Sequence, residues 1–205
     1  MRYPDFYDQT PGITMYDPLA KFLGAVEGGI VEYRYVDAVK VAGHSCPTVA
    51  SAWLMTARAL EALYPKDIPE RGAIRVDFRH DSTSGVTGVI ANIVSLVTGA
   101  THDTGFKGLA GRFDRRNLLF FNAAVGEEIR FTRNDSGDAV DVTAHLERVP
   151  GEPHMGELMA ACITGRASDE MQREFGRLWQ ERVRRLLIEH ARDAQVIAVH
   201  PVRAV

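Results

Sequence analysis

One short segment of the sequence, residues 43–47, brings together side chains that could do chemistry. It reads Gly-His-Ser-Cys-Pro, so His44 and Cys46 lie two residues apart, and Cys46 is one of only two cysteines. Pro47 is typical of the first position of a helix, which places Cys46 at a helix N-terminus, where the helix dipole favours the thiolate. Imidazole and thiolate are preferred ligands of zinc, and they also form a common base and nucleophile pair.

Three interpretations of this segment follow from the residues alone. If the chain is extended up to Pro47, the side chains of His44 and Cys46 point the same way and can bind one metal ion. Such a site needs one or two further ligands from elsewhere in the chain. Cys46 could instead be a nucleophile with a histidine base, or a buried structural thiol beside a capping histidine. The spacing does not choose between these interpretations.

A second polar cluster follows a predicted strand. His80 and Asp81 come directly after the alternating stretch 73–79 and open a loop before an apolar helix. Functional side chains are common where strands lead into helices, so His80 is predicted to be the third metal ligand or a general base. The alternative is an ordinary surface histidine.

A third cluster lies in the glycine-rich loop 101–111, which contains His102 and Lys107. Glycines let backbone amides approach a ligand, and a lysine can hold a carboxylate or a phosphate. The loop lacks the Gly-Lys-Ser/Thr order of a P-loop. We predict His102 and Lys107 as cofactor-binding residues, with a plain surface loop as the alternative.

The elements that must position these residues mix helices and strands. Alternating apolar residues predict five strands, over residues 30–36, 73–79, 118–121, 128–133 and 139–146. The last two form an antiparallel hairpin. Apolar stretches predict two buried helices over 47–63 and 86–97, and a long amphipathic helix follows Ser168. The predicted fold is α+β, with a mixed or antiparallel sheet packed against the two buried helices.

These elements divide the chain into three predicted parts. Residues 1–16, with two prolines, form an N-terminal arm. Residues 17–149 form the α+β core domain. Residues 150–205 form a C-terminal helical extension, which begins at the linker Pro150–Pro153.

Composition excludes several classes of protein. The 205-residue chain is 45% hydrophobic and 25% charged, the balance of a soluble globular protein that buries a core without disulfides. A net charge of −3 argues against nucleic-acid and membrane partners, and no apolar stretch is long enough to span a bilayer. Because there are two cysteines and no leader pattern, we expect a cytoplasmic protein with reduced thiols.

Two segments resemble the signatures of a known family. Gly43 to Pro47, followed by an Ala-rich helix, resembles the E subunit family of formylmethanofuran dehydrogenase, which opens its core domain with Gly-His-x-Cys-Pro. Thr98 to Thr101 and the loop Gly105 to Leu109 resemble the family's Thr-Gly-Cys-Thr segment and the glycine/lysine loop after it. Order and spacing agree over about residues 17–146.

The resemblance implies an α+β core, a homodimer and a metal near His44 and Cys46. Lys107 carries over as part of the loop. The chain departs from the family where Ala100 replaces a cysteine, and it lacks the cysteines of a C-terminal zinc-finger tail, since only Cys162 lies there. The resemblance therefore covers the core domain, and a metal site must use a different third ligand.

We therefore expect a dimeric metal-binding protein, with zinc or another transition metal on His44, Cys46 and His80 beside a small-molecule pocket. The first alternative is a metal-free thiolate enzyme, in which Cys46 is the nucleophile and His44 or His80 is the base. The second is a non-catalytic subunit or ligand-binding module. The sequence names neither a substrate nor a reaction.

Overall fold

The computed structural model describes residues 2–202, so Met1 of the predicted arm and residues 203–205 of the predicted extension lie outside it. The helices are α1 (Pro18–Phe22), α2 (Tyr35–Ala42), α3 (Pro47–Leu63), α4 (Thr87–Thr98), α5 (Met155–Ile163) and α6 (Asp169–Arg184). The strands are β1 (Ile13–Tyr16), β2 (Ile30–Tyr33), β3 (Ile74–Phe78), β4 (Leu119–Phe120), β5 (Ile129–Arg133), β6 (Ala139–Ala144) and β7 (Ile197–Val202).

The strands form two sheets, and their arrangement confirms the predicted α+β fold. The main sheet has the order β4-β3-β5-β6-β7, in which β3 and β4 are parallel and all other neighbours are antiparallel. The predicted hairpin is the pair β5 and β6. β1 and β2 form a separate antiparallel pair, so the end of the predicted N-terminal arm is ordered by strand pairing.

The two predicted buried helices are α3 and α4. Apolar residues occur on almost every side of α3, and its Trp53 side chain is only 1% exposed. Pro47 occupies the first position of α3, as predicted. α4 ends at Gly99, which adopts a left-handed conformation with φ +72° that a residue without a Cβ tolerates best. Both helices pack against one another.

The C-terminal ends of α3 and α4 lie at the same end of the main sheet. The carbonyl oxygen of Leu63 in α3 accepts a hydrogen bond from Arg133 Nη1 at 3.1 Å, and Arg133 pairs with Ile74 at the start of β3. The carbonyl oxygen of Thr98 in α4 accepts from the backbone N–H of Gly72, just before β3, at 2.8 Å. The two helices therefore run in the same direction, and their N-terminal ends lie towards the opposite end of the sheet.

The predicted strand over 30–36 is shorter than expected. It ends at Tyr33, because α2 already begins at Tyr35. The Asp37 carboxylate accepts a hydrogen bond from the backbone N–H of Arg34 at 2.9 Å, which stabilises the first turn of α2. The alternating pattern of Val31, Tyr33 and Tyr35 therefore crosses the boundary between a strand and a helix.

Residues 150–202 contribute α5, α6 and β7. β7 pairs with β6 along all six of its residues, so it belongs to the main sheet and forms one of its edges. Pro201 lies on this edge strand opposite Val140, and the other edge strand, β4, has only two residues. Within residues 2–202, no helix is long and apolar enough to cross a membrane.

Candidate functional site

Cys46 lies at the N-terminal end of α3, as the sequence predicts. It is the residue that caps the helix, and its Sγ atom accepts a hydrogen bond from the backbone N–H of Val49 at 3.5 Å. The residue is 9% exposed, and its thiol is free, as is the thiol of Cys162. The sulfur atom therefore faces an N–H donor and the N-terminal end of α3.

His44 lies on the surface, in the turn between α2 and α3. Its Nδ1 atom is 2.9 Å from the carbonyl oxygen of Ala42. A carbonyl oxygen can only accept a hydrogen bond, so we assign the proton of the neutral ring to Nδ1. This tautomer leaves the lone pair of Nε2 unprotonated, which is the state in which an imidazole binds a metal or accepts a proton.

Ser45, between the two motif residues, is held by the side chains of Tyr35, Trp179 and Gln180. Its carbonyl oxygen accepts hydrogen bonds from Trp179 Nε1 and Gln180 Nε2 of α6, each at 3.1 Å. Its hydroxyl is 2.9 Å from the hydroxyl of Tyr35. Tyr7 then donates to Gln180 Oε1 at 3.3 Å. α6 and the N-terminal segment therefore fix the backbone from which His44 and Cys46 project.

Burial keeps the two tyrosines of this network in their neutral form. Tyr35 is fully buried, and desolvation raises its pKa well above the usual value, although the hydrogen bond to Ser45 acts in the opposite direction. Desolvation also raises the pKa of Tyr7. Both hydroxyls therefore remain hydrogen-bond donors at neutral pH. No pattern in the sequence predicts this network.

His80 is exposed and follows β3, and the loop after it is tied to the segment after β4. Asn122 donates from its side-chain amide to Asp81 Oδ2 at 3.0 Å and from its backbone N–H to the His80 carbonyl oxygen at 3.3 Å. Hydrogen bonds from the backbone and hydroxyl of Thr83, and from Asn122, lower the pKa of Asp81 to about 2. Because this loop leads into the N-terminus of α4, His80 lies towards the same end of the sheet as Cys46.

Glu128 is a titratable residue at this end that sequence reasoning missed. It directly precedes β5, and its carbonyl oxygen accepts a hydrogen bond from the Arg79 backbone at 3.0 Å. Burial raises the pKa of the Glu128 carboxyl, while a hydrogen bond from the Ala144 backbone and the charges of His80 and His145 act in the opposite direction. His80, Glu128 and His145 therefore interact electrostatically where β3, β5 and β6 meet the loops.

The predicted metal ligands are not gathered into a complete site in one chain. Within residues 2–202, no group of three or more His, Cys, Asp or Glu side chains is placed to hold a metal ion. Five surface clefts of about 160 to 490 Å³ lie elsewhere, and none of the five is lined by His44, Cys46 or His80. The ligand roles of these residues, and a pocket beside them, stay predictions.

His102 and Lys107 are both exposed on the glycine-rich loop. His102 Nδ1 is 3.0 Å from Asp103 Oδ1, and this contact lowers the pKa of the Asp103 carboxyl. Lys107 forms no ion pair with any residue that the structure describes. The base of the loop is closed by hydrogen bonds from Thr101 to Arg115 and from Arg115 to Phe106. Ligand binding by His102 and Lys107 also stays a prediction.

Comparison with known proteins identifies the family. No curated protein matches the chain. The family described as "FmdE, Molybdenum formylmethanofuran dehydrogenase operon" matches residues 41–193, more than half of the 205 residues. The matched range begins just before the Gly-His-Ser-Cys-Pro segment and continues through α5 and α6, beyond the end of the resemblance recognised in the sequence. The chain belongs to the FmdE family.

Proposed function

We propose that this FmdE-family protein binds a divalent transition-metal ion, with zinc as the first choice, through His44 Nε2 and Cys46 Sγ. The observation that carries the proposal is that the backbone holds both donor residues through hydrogen bonds. The Ala42 carbonyl oxygen fixes the tautomer of His44, and the Val49 N–H donates a hydrogen bond to Cys46 Sγ at the N-terminal end of α3. Outer hydrogen bonds of this kind orient metal ligands in known sites.

The donor set fits zinc in kind but supplies only half of a tetrahedral shell. One imidazole nitrogen and one thiolate are among the ligands that zinc prefers. Further donors must come from His80 after a movement of its loop, from a second copy of the chain in a homodimer, or from a small-molecule ligand. A zinc ion with an open position would supply Lewis-acid chemistry to such a ligand.

The roles of the surrounding residues follow from their contacts. Trp179 and Gln180 hold the backbone of the motif at Ser45, so they position His44 and Cys46 without binding the ion. Glu128, whose pKa is raised by burial, is suited to hold or accept a proton at the end of the sheet where His80 lies. We include a cytoplasmic location in the proposal, since free thiols are typical of reducing compartments.

Metal binding by purified protein tests the proposal. The protein is loaded with Zn²⁺ or Co²⁺ against a weak chelator, and bound metal and affinity are measured for the wild type, His44→Ala and Cys46→Ser. We expect each variant to lose affinity by more than about tenfold. Serine is a good helix cap, so Cys46→Ser should keep α3 folded. Cys162→Ser is the matched control, and its affinity should equal that of the wild type.

Two outcomes would contradict metal binding at this site. One is a wild-type protein that retains no Zn²⁺ or Co²⁺ under these conditions. The other is an affinity that is the same in Cys46→Ser as in Cys162→Ser. Sedimentation with and without the metal shows in addition whether a second copy completes the shell, because a shared ion makes the dimer metal-dependent.

A metal-free thiolate enzyme is the second candidate, and the absence of a third assembled ligand within residues 2–202 favours it. Cys46 would be the nucleophile and His44 the base. After chelation, we expect iodoacetamide to label Cys46 faster than Cys162 at neutral pH, and His44→Ala to slow the labelling of Cys46 alone. A Cys46 thiol that reacts only after unfolding would exclude this function.

A further inference from the structure

A buried cluster of charges lies away from the His44–Cys46 segment. The Asp17 carboxylate binds Arg115 Nη2 at 2.8 Å and Arg71 Nη1 at 3.1 Å, and the side chains of Asp17 and Arg115 are only 8% and 6% exposed. One carboxylate therefore faces two guanidinium groups. The cluster therefore carries an excess positive charge, and burying such a charge costs free energy because it is removed from water.

The same arginines hold hydrogen-bond donors without acceptors. Within the part of the chain that the structure describes, Nε and Nη1 of Arg115 and Nε of Arg71 are buried and have no hydrogen-bond partner. Burial lowers the pKa of Arg115, and the charge of Asp17 acts in the opposite direction without cancelling this effect. Unpaired buried donors cost free energy, so a native structure keeps them where water or a ligand supplies the acceptor.

A cleft of about 440 Å³ opens beside this cluster. We call it the arginine cleft, and its walls include Tyr16, Pro18, Arg71, Arg112, Phe113 and Arg115. The rings of Tyr16, Pro18 and Phe113 provide apolar surface next to three guanidinium groups. Glu70 and Asp114 also line the cleft, but Asp114 is already neutralised by Arg116 at 2.7 Å.

Two glycines make room for the guanidinium groups. A Cβ atom on Gly72 would lie 1.9 Å from Arg115 Nη1, and the φ of Gly72 is +88°. A Cβ atom on Gly99 would lie 3.1 Å from both Arg115 Nη1 and Arg71 Cγ. Gly99 belongs to the Thr98–Thr101 segment that resembles the second family signature. The backbone of that segment thus supports the floor of the arginine cleft.

We propose that the arginine cleft binds a small organic anion through its carboxylate or phosphate group. The Arg71 guanidinium, bonded to Asp17 and to the Leu96 carbonyl, keeps further N–H groups for a ligand, and Arg112 is exposed with no ion pair among residues 2–202. The anion would offset the excess charge of the cluster, and its apolar part would lie on Tyr16 and Phe113.

This site is separate from the proposed metal site. The cleft adjoins Gly72, next to the C-terminal end of α4, whereas Cys46 lies at the N-terminal end of α3. α3 has 17 residues, and a helix of that length spans roughly 25 Å. Loss of anion binding therefore does not imply loss of metal binding, and the reverse also holds.

Calorimetric titration with inorganic phosphate and with benzoate, at constant ionic strength, tests the proposal. We expect saturable binding of at least one anion, and an affinity reduced by about tenfold or more in Arg112→Gln and Arg71→Gln. Arg177→Gln is the control, because Arg177 is exposed, pairs with Glu174 and lies outside the cleft. Binding of only one anion identifies the group that the site recognises.

The proposal fails if neither anion binds more tightly than chloride. It also fails if Arg112→Gln binds phosphate and benzoate as the wild type does. Arg71→Gln removes one partner of Asp17, so its fold is checked by circular dichroism. If that variant is unfolded, Arg112→Gln decides alone, since its side chain makes no contact within the buried cluster.

Discussion

Replacing Asp17 by alanine tests the buried cluster most directly. Its Oδ1 atom accepts hydrogen bonds from the backbone N–H groups of Leu19 and Ala20 at 2.9 and 3.0 Å, which cap α1, besides binding Arg115. Loss of such a cap costs about 1 kcal/mol. Removal of the counter-charge of a buried arginine costs about 3–5 kcal/mol. We therefore expect Asp17→Ala to lower the free energy of unfolding by about 4–6 kcal/mol.

Urea denaturation and thermal unfolding followed by circular dichroism measure this change. For a chain of this size, the expected loss corresponds to a fall in Tm of roughly 10–20 °C. Asp17→Asn keeps an oxygen that can cap α1, so it should cost about 1 kcal/mol less than Asp17→Ala. Adding Arg115→Met to Asp17→Asn should recover stability, because the uncompensated charge is then removed. Asp135→Asn, at an exposed ion pair, should change stability little.

The effect of Asp17 also depends on pH in a defined direction. Burial would raise the pKa of Asp17, but the Ala20 N–H and the guanidinium groups of Arg115 and Arg71 outweigh it and hold the pKa below its usual value. A lowered pKa stabilises the folded state above the usual carboxyl pKa, and the stabilisation is lost as pH falls through the lowered value. The cost of Asp17→Asn should thus shrink below about pH 4. A cost no larger than that of Asp135→Asn, or one independent of pH, would refute the reasoning.

Three further predictions test other contacts. Burial raises the pKa of Glu128, so its ionisation weakens folding as pH rises through that pKa. Urea titrations should show Glu128→Gln gaining stability relative to the wild type as pH rises above about 4, and a constant difference would contradict this. Gly72→Ala would be strained by the positive φ of this residue and by the nearby Arg115 side chain, so it should lower the free energy of unfolding by about 1–3 kcal/mol. Gly156→Ala is the control and should not lower it, because a Cβ atom there would meet no other atom. Trp179→Phe removes one donor to the Ser45 carbonyl oxygen and should lower the free energy of unfolding by about 1 kcal/mol in urea denaturation. An unchanged free energy of unfolding would contradict the role of this hydrogen bond.

Local signals in the sequence were enough to predict α3, α4, α6 and five of the seven strands within residues 2–202. Pro47 marks the beginning of α3 and Pro65 follows its end, because proline fixes its own φ and lacks an N–H group. Gly99 terminates α4, because glycine tolerates the left-handed conformation. The predicted end of β2 was wrong because the alternating pattern of apolar residues continues into α2. The hydrogen bond from the Arg34 N–H to the Asp37 carboxylate stabilises the start of α2, and the periodicity of apolar residues contains no information about such a bond.

The site could be predicted only as far as it is local. The place of Cys46 at a helix N-terminus follows from its neighbour Pro47. The donors to Ser45 come from residues 134 and 135 positions away, and Asp17 and Arg115 are 98 positions apart. Contacts over such separations depend on how the whole chain packs. No pattern in a single sequence predicts such distant contacts.

The two edges of the main sheet restrict how copies of this chain can associate. A sheet edge with free N–H and C=O groups can add a strand from another molecule. Here β4 offers only two residues, and β7 carries Pro201, which has no N–H to donate. Strand addition is therefore disfavoured at both edges, which also guards the folded protein against fibrous aggregation. We therefore expect the proposed homodimer to form through helices and loops rather than through a shared main sheet.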